Sequence, residues 1–108
     1  MAADKNQPPE SGAQDIDKLI HEPARLLIMA HLYVVESADF TYLIRQTDLS
    51  WGNLSSHMSK LEEAQYIEVI KEFKDKRPNT MLKLTPKGRE AFRQYRQQML
   101  NVLEDLPD

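Results

Sequence analysis

The sequence contains no cysteine, only three glycines and no long uninterrupted run of apolar residues. Without cysteine, the chain forms no disulfide and offers no thiolate for metal binding or catalysis, which suits a reducing cytoplasm. The longest apolar stretch, residues 26–35, is interrupted by His31 and is too short to span a bilayer. The first ten residues lack a basic start followed by an apolar stretch, so no secretion signal is predicted. We therefore expect a cytoplasmic protein with no membrane partner.

Motifs for catalysis and metal binding are also missing. No motif gathers a nucleophile, a base and an orienting group, and no glycine-rich loop is available to hold phosphate. His21 follows Asp17 by four residues, which places two metal ligands on one helical face, but no histidine lies in the last predicted helix. We therefore predict no enzymatic activity, no cofactor and no metal site. His21 and His31 are expected at helix or dimer interfaces, and His57 as a partly buried residue or a phosphate contact.

The net charge of −3 at first argues against a nucleic-acid partner, because contacts to phosphate supply much of such binding. The charge is unevenly distributed, however. Residues 1–40 contain three basic residues against seven acidic ones, a net charge of −4. Residues 71–89 contain seven basic residues against two acidic ones, a net charge of +5. The basic residues surround one predicted hairpin, and such a local patch is typical of DNA binding.

With 108 residues, 41% of them hydrophobic, the chain is long enough for one domain with its own core. Residues 1–14 are polar and contain Pro8, Pro9 and Gly12, and we expect a disordered tail there. A helix is predicted from Asp15, and at Pro23 the chain either kinks or starts a new helix capped near Glu22. This section continues to Glu36 and is apolar nearly all round, so its own domain and a second subunit can both cover it.

A helix-turn-helix is predicted next. Phe40 is assigned to a short edge strand, Thr41 to the cap of a short helix, and residues 47–49 to the turn after that helix. Ser50 then caps a second helix of about residues 50–64. In this arrangement the first helix supports the second, the recognition helix, across the DNA backbone.

The recognition helix has one apolar face and one small polar face. Leu54, Met58 and Leu61 recur at the spacing of a buried stripe. A solvated face would usually carry salt-bridging Glu, Lys and Arg, whereas a surface that enters a DNA groove needs small hydrogen-bonding groups. We therefore interpret the opposite face as the surface that enters the major groove. Its residues are Gly52, Asn53, Ser56, Ser59 and Lys60, with Trp51 and Ser55 at its borders.

A basic hairpin, or wing, is predicted at about residues 73–80. Residues 66–73 and 80–84 have the composition of strands, and the intervening KDKRPN is typical of a turn. Basic side chains on such a tip can contact phosphates or enter a narrow A·T-rich minor groove. Arg77 is our prediction for the groove, because Pro78 restrains the backbone beside it. The alternative is a solvated hairpin whose lysines blunt an edge strand. The basic residues of the wing are Lys74, Lys76 and Arg77.

The last helix opens with Thr85 as its cap and Pro86 in its first turn, and it is predicted to run to about Asp105. It is too long to pack entirely under a small winged domain. A homodimer through the first and last helices is the simplest way to cover its far end, and twofold symmetry would place two recognition helices about one DNA turn apart. Alternatively, the apolar stripe folds back on the chain's own first helix. The predicted dimer residues are Ile16, Leu19, Ile20, Tyr95, Met99, Val102, Leu103 and Leu106.

Three segments, IHEPARLLIMAHL, NLSSHMSKLEEAQYIEV and RPNTMLKLTPKGREAF, closely resemble the winged helix-turn-helix transcriptional regulators of the MarR/ArsR-like type. The resemblance runs from Ile16 to about Met99, and Gln65 stands where glycine commonly ends the recognition helix. It implies a small dimeric DNA-binding regulator, often a repressor, with room for a small-molecule effector of unknown identity. The candidate DNA contacts are Thr41, Trp51, Gly52, Asn53, Ser55, Ser56, Lys60, Lys74, Lys76 and Arg77.

The predicted fold is mainly α with a small β-hairpin. It is one winged helix-turn-helix domain over residues 15–108, with its terminal helices extended for dimerisation. The expected partners are double-stranded DNA and a second copy of the chain. The competing hypothesis is a winged helix that binds protein, because winged folds host both functions. The basic wing and the small polar helix face favour DNA, and a steep salt dependence of binding would distinguish the two.

Overall fold

Four helices and three strands make up the part of the chain that the computed structural model describes, residues 15–104 and 106–108. The strands form one antiparallel sheet in the order β1-β3-β2. The predicted class, mainly α with a hairpin, is confirmed, while the predicted tail 1–14 lies outside the described residues. The elements are α1 (Pro23–Val35), β1 (Ser37–Asp39), α2 (Phe40–Thr47), α3 (Trp51–Glu63), β2 (Ile67–Lys74), β3 (Arg77–Leu84) and α4 (Pro86–Leu103).

The prediction of a helix from Asp15 is wrong, since the chain before Pro23 runs in turns. The Asp17 carboxylate accepts hydrogen bonds from the backbone N–H groups of Leu19 at 2.9 Å and Ile20 at 3.2 Å. Such local bonds offer the backbone an alternative to helix, which explains the turn. The first helix instead starts at Pro23, and the Glu22 carboxylate caps it by accepting from the next two backbone N–H groups. The alternative of a new helix at Pro23 is therefore confirmed.

The start of α2 also differs from the prediction. Asp39, not Thr41, is the cap, and its carboxylate accepts a hydrogen bond from the Tyr42 N–H at 2.6 Å. The predicted edge strand is present as β1, but it ends at Asp39, and Phe40 begins the helix with its ring buried. A carboxylate is a strong N-cap, because it accepts hydrogen bonds from free backbone N–H groups and because the positive end of the helix dipole stabilises its negative charge.

The core lies between the helices and one face of the sheet. Leu54 and Leu61 of α3 are fully buried in it, as the predicted stripe requires, and Met58 packs against it half-buried. Among the described residues, no helix combines the length and hydrophobicity that a membrane span requires. The other buried members of the core are Ile20, Ile28, Met29, Leu32, Ala38, Phe40, Leu43, Ile67, Leu82, Leu84, Phe92 and Tyr95.

The two residues that follow α3, Gln65 and Tyr66, contact the start of α4. After Ala64, Gln65 takes a left-handed conformation with φ 65°, and the N–H groups of Gln65 and Tyr66 bond back to the last turn of the helix. This is the Schellman ending that glycine usually makes. The Thr85 hydroxyl, which caps α4, contacts the carbonyl oxygens of Gln65 at 2.7 Å and Tyr66 at 3.0 Å. A Cβ on Gly88 would lie 2.0 Å from the Tyr66 carbonyl oxygen, so only glycine permits this approach.

Candidate nucleic-acid interface

The outward face of α3 is small, polar and uncovered. The Ser50 hydroxyl caps the helix by accepting a hydrogen bond from the Asn53 N–H at 3.1 Å, as predicted. Gly52 has no neighbouring heavy atom within 4 Å of the position of a Cβ, so the helix start is open to a close partner. Ser55 is half-buried at the border of the face. The predicted polar positions are all exposed, namely Gly52, Asn53, Ser56, Ser59 and Lys60.

Trp51 lies where α2 meets α3. Its ring centroid is 4.5 Å from that of Phe40, yet 65% of the residue remains exposed. It therefore covers the core with one part and presents the rest beside the polar face of α3. Thr41 is exposed on the first turn of α2. Arg45, which was not among the predicted contacts, is exposed one turn further along the same side of α2, four residues after Thr41.

The wing, formed by β2, β3 and their connection, ends in a two-residue turn. Asp75 and Lys76 have φ values of 53° and 64°, and Lys74 pairs with Arg77 on either side of them. Two positive φ values are typical of a type I′ hairpin. The predicted turn at KDKRPN is therefore too long, because Pro78 is already part of β3. Proline is tolerated there since Pro78 is one position beyond the closing pair, where the ladder requires no N–H donor.

The cations at the wing tip are in an unfavourable arrangement for an isolated hairpin. Lys74 and Arg77 are directly opposite each other, and like charges at such positions repel. Lys76 occupies a left-handed conformation that disfavours a side chain by about 1–2 kcal/mol. Among the described residues, no carboxylate lies within 4.0 Å of these three cations. An anionic partner would relieve the repulsion, whereas a merely solvated hairpin has no need for it.

A half-buried polar cluster braces the inner side of α3. The His57 Nδ1 atom lies 3.0 Å from Arg25 Nη1 and 3.5 Å from Glu22 Oε2. The Arg25 Nε–H also donates to the Leu19 carbonyl oxygen at 2.5 Å. Burial works against ionisation of Glu22, but backbone N–H donors and the nearby His57 and Arg25 hold its pKa below the usual range. His57 is thus a partly buried bracing residue, one of the two roles predicted for it.

A second cluster ties the segment before α1 to the end of α3 and to α4. The Tyr66 hydroxyl donates to Asp17 Oδ2 at 2.5 Å, and His21 Nδ1 lies 2.8 Å from the Tyr95 hydroxyl. Burial and the hydrogen bond to Asp17 raise the pKa of Tyr66 to about 12. Asp17, Tyr66 and Tyr95 border a cavity of about 230 Å³. Among the described residues, no three histidine or acidic side chains are grouped as a metal site would need.

The predicted dimer residues fall into three groups by burial. Ile20 is fully buried and Tyr95 nearly so within the single chain, which leaves a second subunit little of them to contact. Leucines are exposed on the last turns of α4 and after it, where Leu100 is an addition to the predicted set, and Leu27 of α1 is exposed as well. The half-buried members are Ile16, Leu19, Met99 and Val102, and the exposed ones are Leu103 and Leu106.

Comparisons with known proteins agree with this geometry. A family model described as a winged helix DNA-binding domain matches residues 24–103. An uncharacterised protein of Methanocaldococcus jannaschii is 36% identical over 89 residues, which are 82% of this chain and 97% of that protein. The solved structure of a transcriptional regulator homologue from Pyrococcus horikoshii has 30% identity and a TM-score of 0.77, covering 82% of this chain and 87% of that one. A mutant MarR from E. coli, solved in complex with operator DNA, shares the fold at 19% identity and a TM-score of 0.60, covering 87% and 76%.

Proposed function

The chain belongs to the family of winged helix DNA-binding domains, and we propose that it is a homodimeric, cytoplasmic transcriptional repressor that binds a specific duplex site. In this proposal α3 enters the major groove, and the wing contacts the flanking backbone or minor groove. The chain is a DNA-binding regulator by its family and by its similarity to a transcriptional regulator homologue. The dimer, the sign of regulation and the individual contacts are the parts that require testing.

The combination of the bare polar face of α3 with the crowded cations of the wing is the observation that carries the proposal. Small side chains on α3 allow the helix backbone to come close to base edges, where hydroxyl and amide groups can read donors and acceptors. The cations supply the sequence-independent attraction to phosphate. Neither feature stabilises the isolated fold, and together they match one ligand, a double helix with a readable groove beside a charged backbone.

The roles of the contacts follow from their chemistry and place. Asn53 is assigned to base readout, because a side-chain amide can bond an adenine edge in two places. Lys60 near the end of α3 and Thr41 on α2 are assigned to phosphates, which position the protein without reading sequence. The remaining proposed contacts are Trp51, Gly52, Ser55 and Ser56 on α3 and Lys74, Lys76 and Arg77 on the wing.

The dimer is proposed through the end of α4. Leu103 is 57% exposed there, and Leu100 and Leu106, three residues to either side of it in the chain, are exposed as well. Twofold pairing would cover these side chains, and it would place two α3 helices on one face of the DNA about 34–36 Å apart. Inverted half-sites are the direct consequence of that symmetry.

The test is selection of genomic duplex fragments by the purified protein at near-physiological salt, followed by sequencing of the retained fragments. Enrichment of two inverted halves about one helical turn apart is expected. Weak retention of all sequences, lost steeply with added salt, would replace specific regulation by general DNA coating. No retention at low salt would instead favour a winged helix that binds protein. Transcription in vitro from a promoter that overlaps the selected site tests the sign, and activation there would exclude a repressor.

A further inference from the structure

Phe73 stands out on the wing because the fold gives its ring no place to pack. It lies on β2, one residue before the cation pair, and 78% of it is exposed. The remaining strand of the sheet, β1, does not reach this part of the wing, since it pairs with β3 only from Met81 to Lys83. Pro78 is the direct cross-strand neighbour of Phe73, but the remaining exposure shows how little of the ring such a contact covers. Hairpin stability alone therefore does not account for an aromatic ring here.

The strand register places Phe73 on the same side of the sheet as the recognition helix. Side chains alternate between the two faces of a strand, so Ile67, Val69, Lys71 and Phe73 share one face of β2. Ile67 is buried in the core beneath the helices, which identifies this face as the one turned toward α3. The Phe73 ring therefore extends from the helix-facing side of the sheet.

The surroundings of Phe73 are cationic. Lys71 shares its face, Lys76 lies at the tip, and Lys74 and Arg77 lie on the opposite face of the ribbon. A negatively charged membrane surface would also attract these cations. It would not account for the small polar face of α3, which lies on the same side as Phe73. An apolar ring set among cations is complementary to DNA, whose charged backbones enclose flat apolar base pairs. Proteins that contact the minor groove often insert phenylalanine or proline between base pairs and kink the duplex.

We propose that Phe73, supported by Pro78, is inserted from the minor groove between two base pairs at the edge of the bound site, where it unstacks them. This inference rests on the proposed DNA-binding function and adds a deformation of the duplex to it. Steps that unstack easily, above all TA steps, would be preferred at that position without any hydrogen bond to the bases. Phe73 is thus a specificity-determining residue that acts through the shape and flexibility of DNA.

The test uses the full chain and a 40-base-pair duplex of alternating A and T, with 2-aminopurine in place of several adenines. The fluorescence of 2-aminopurine rises when its neighbours unstack, and we expect this rise on binding of the unaltered protein. Phe73→Ala should abolish the rise and weaken binding about tenfold, as for loss of a stacked aromatic side chain. The slope of log affinity against log salt should stay unchanged, because no phosphate contact is removed.

Three further variants separate insertion from a change in the hairpin. Phe73→Leu keeps an apolar wedge and should keep most of the fluorescence rise, whereas Phe73→Thr keeps strand propensity without a wedge and should lose it. Ile70→Thr is the matched control, because Ile70 is an exposed apolar residue on the opposite face of the same strand. That variant should behave like the unaltered protein.

The outcomes distinguish this inference from the proposed function. If the unaltered protein binds DNA without unstacking it, and Phe73→Ala binds equally well, insertion is refuted while DNA binding stands. If Ile70→Thr loses the rise as fully as Phe73→Thr, the effect is a general one on the hairpin and insertion is likewise refuted. If neither the A·T duplex nor any genomic fragment is retained even at low salt, the proposed function fails and this inference fails with it.

Discussion

Replacing Lys76 by glycine should stabilise the protein and weaken its DNA binding at the same time. Lys76 has φ 64°, a conformation that disfavours a side chain by about 1–2 kcal/mol. Part of the stabilisation from glycine is lost, because glycine raises the conformational entropy of the unfolded chain, which lowers the free energy of unfolding by about 0.4–1 kcal/mol. A net stabilisation of about 0.5–1 kcal/mol is expected, which raises the melting temperature of a domain this size by about 2–8 °C. Loss of one phosphate contact per protomer should also reduce the salt slope by about 0.9 for each.

Gln65 supplies the matched control for this variant. It has φ 65° at the end of α3, so Gln65→Gly should give a similar stabilisation, but it is remote from the wing tip and should leave the salt slope unchanged. Thermal unfolding by circular dichroism measures the first effect, and fluorescence anisotropy of labelled DNA over a range of salt measures the second. If Lys76→Gly stabilises the fold and leaves both affinity and salt slope unchanged, Lys76 contacts no phosphate. If neither variant raises the melting temperature, the left-handed positions carry no appreciable strain.

Three further predictions concern the contact between Gly88 and Tyr66, the outward face of α3 and the dimer. Gly88→Ala should lower the free energy of unfolding by about 1–3 kcal/mol in urea, because its Cβ would meet the backbone of Tyr66, and an unchanged midpoint would contradict that close approach. Asn53→Ala should relax sequence preference when the selection is repeated, and an equal loss on every sequence would show that Asn53 does not read bases. Leu100→Glu combined with Leu103→Glu should give folded monomers by sedimentation equilibrium, whereas an unchanged mass would rule out a dimer through α4.

The helices with strong caps were predictable from the sequence. Ser50 and Thr85 each start a helix where expected, because each hydroxyl accepts a bond from a backbone N–H three residues later. The segment from Asp15 was predicted wrongly, since apolar spacing alone does not show that the Asp17 carboxylate captures the backbone in a turn. The same competition moved the cap of α2 from Thr41 to Asp39. Hydrogen bonds from backbone N–H groups to nearby carboxylates thus determine the helix boundaries that hydrophobic periodicity could not predict.

The candidate site was predictable in part for a related reason. The polar face of α3 follows from a single helical period, so its exposure could be foreseen residue by residue. The wing depends on register, and register depends on the turn. Placing the turn at Asp75 and Lys76 makes Lys74 and Arg77 cross-strand neighbours and leaves Phe73 opposite Pro78. Neither pairing could be read from KDKRPN, because Asp-Lys is not a sequence that usually forms a type I′ turn.

The contact between the residues after α3 and the start of α4 explains how the pairing of two chains could determine the distance between their recognition helices on DNA. The Thr85 hydroxyl donates to the carbonyl oxygen of Gln65 and the Thr85 N–H donates to that of Tyr66, the two residues that follow the recognition helix, and Gly88 allows α4 to approach the backbone of Tyr66. Tyr66 is held in turn by the Asp17 carboxylate. Since the start of α4 contacts the two residues that follow α3, we expect a change in the crossing angle of two α4 helices in the proposed dimer to shift the two α3 helices relative to each other. The cavity of about 230 Å³ borders both Tyr66 and α4, so its lining includes both sides of this contact.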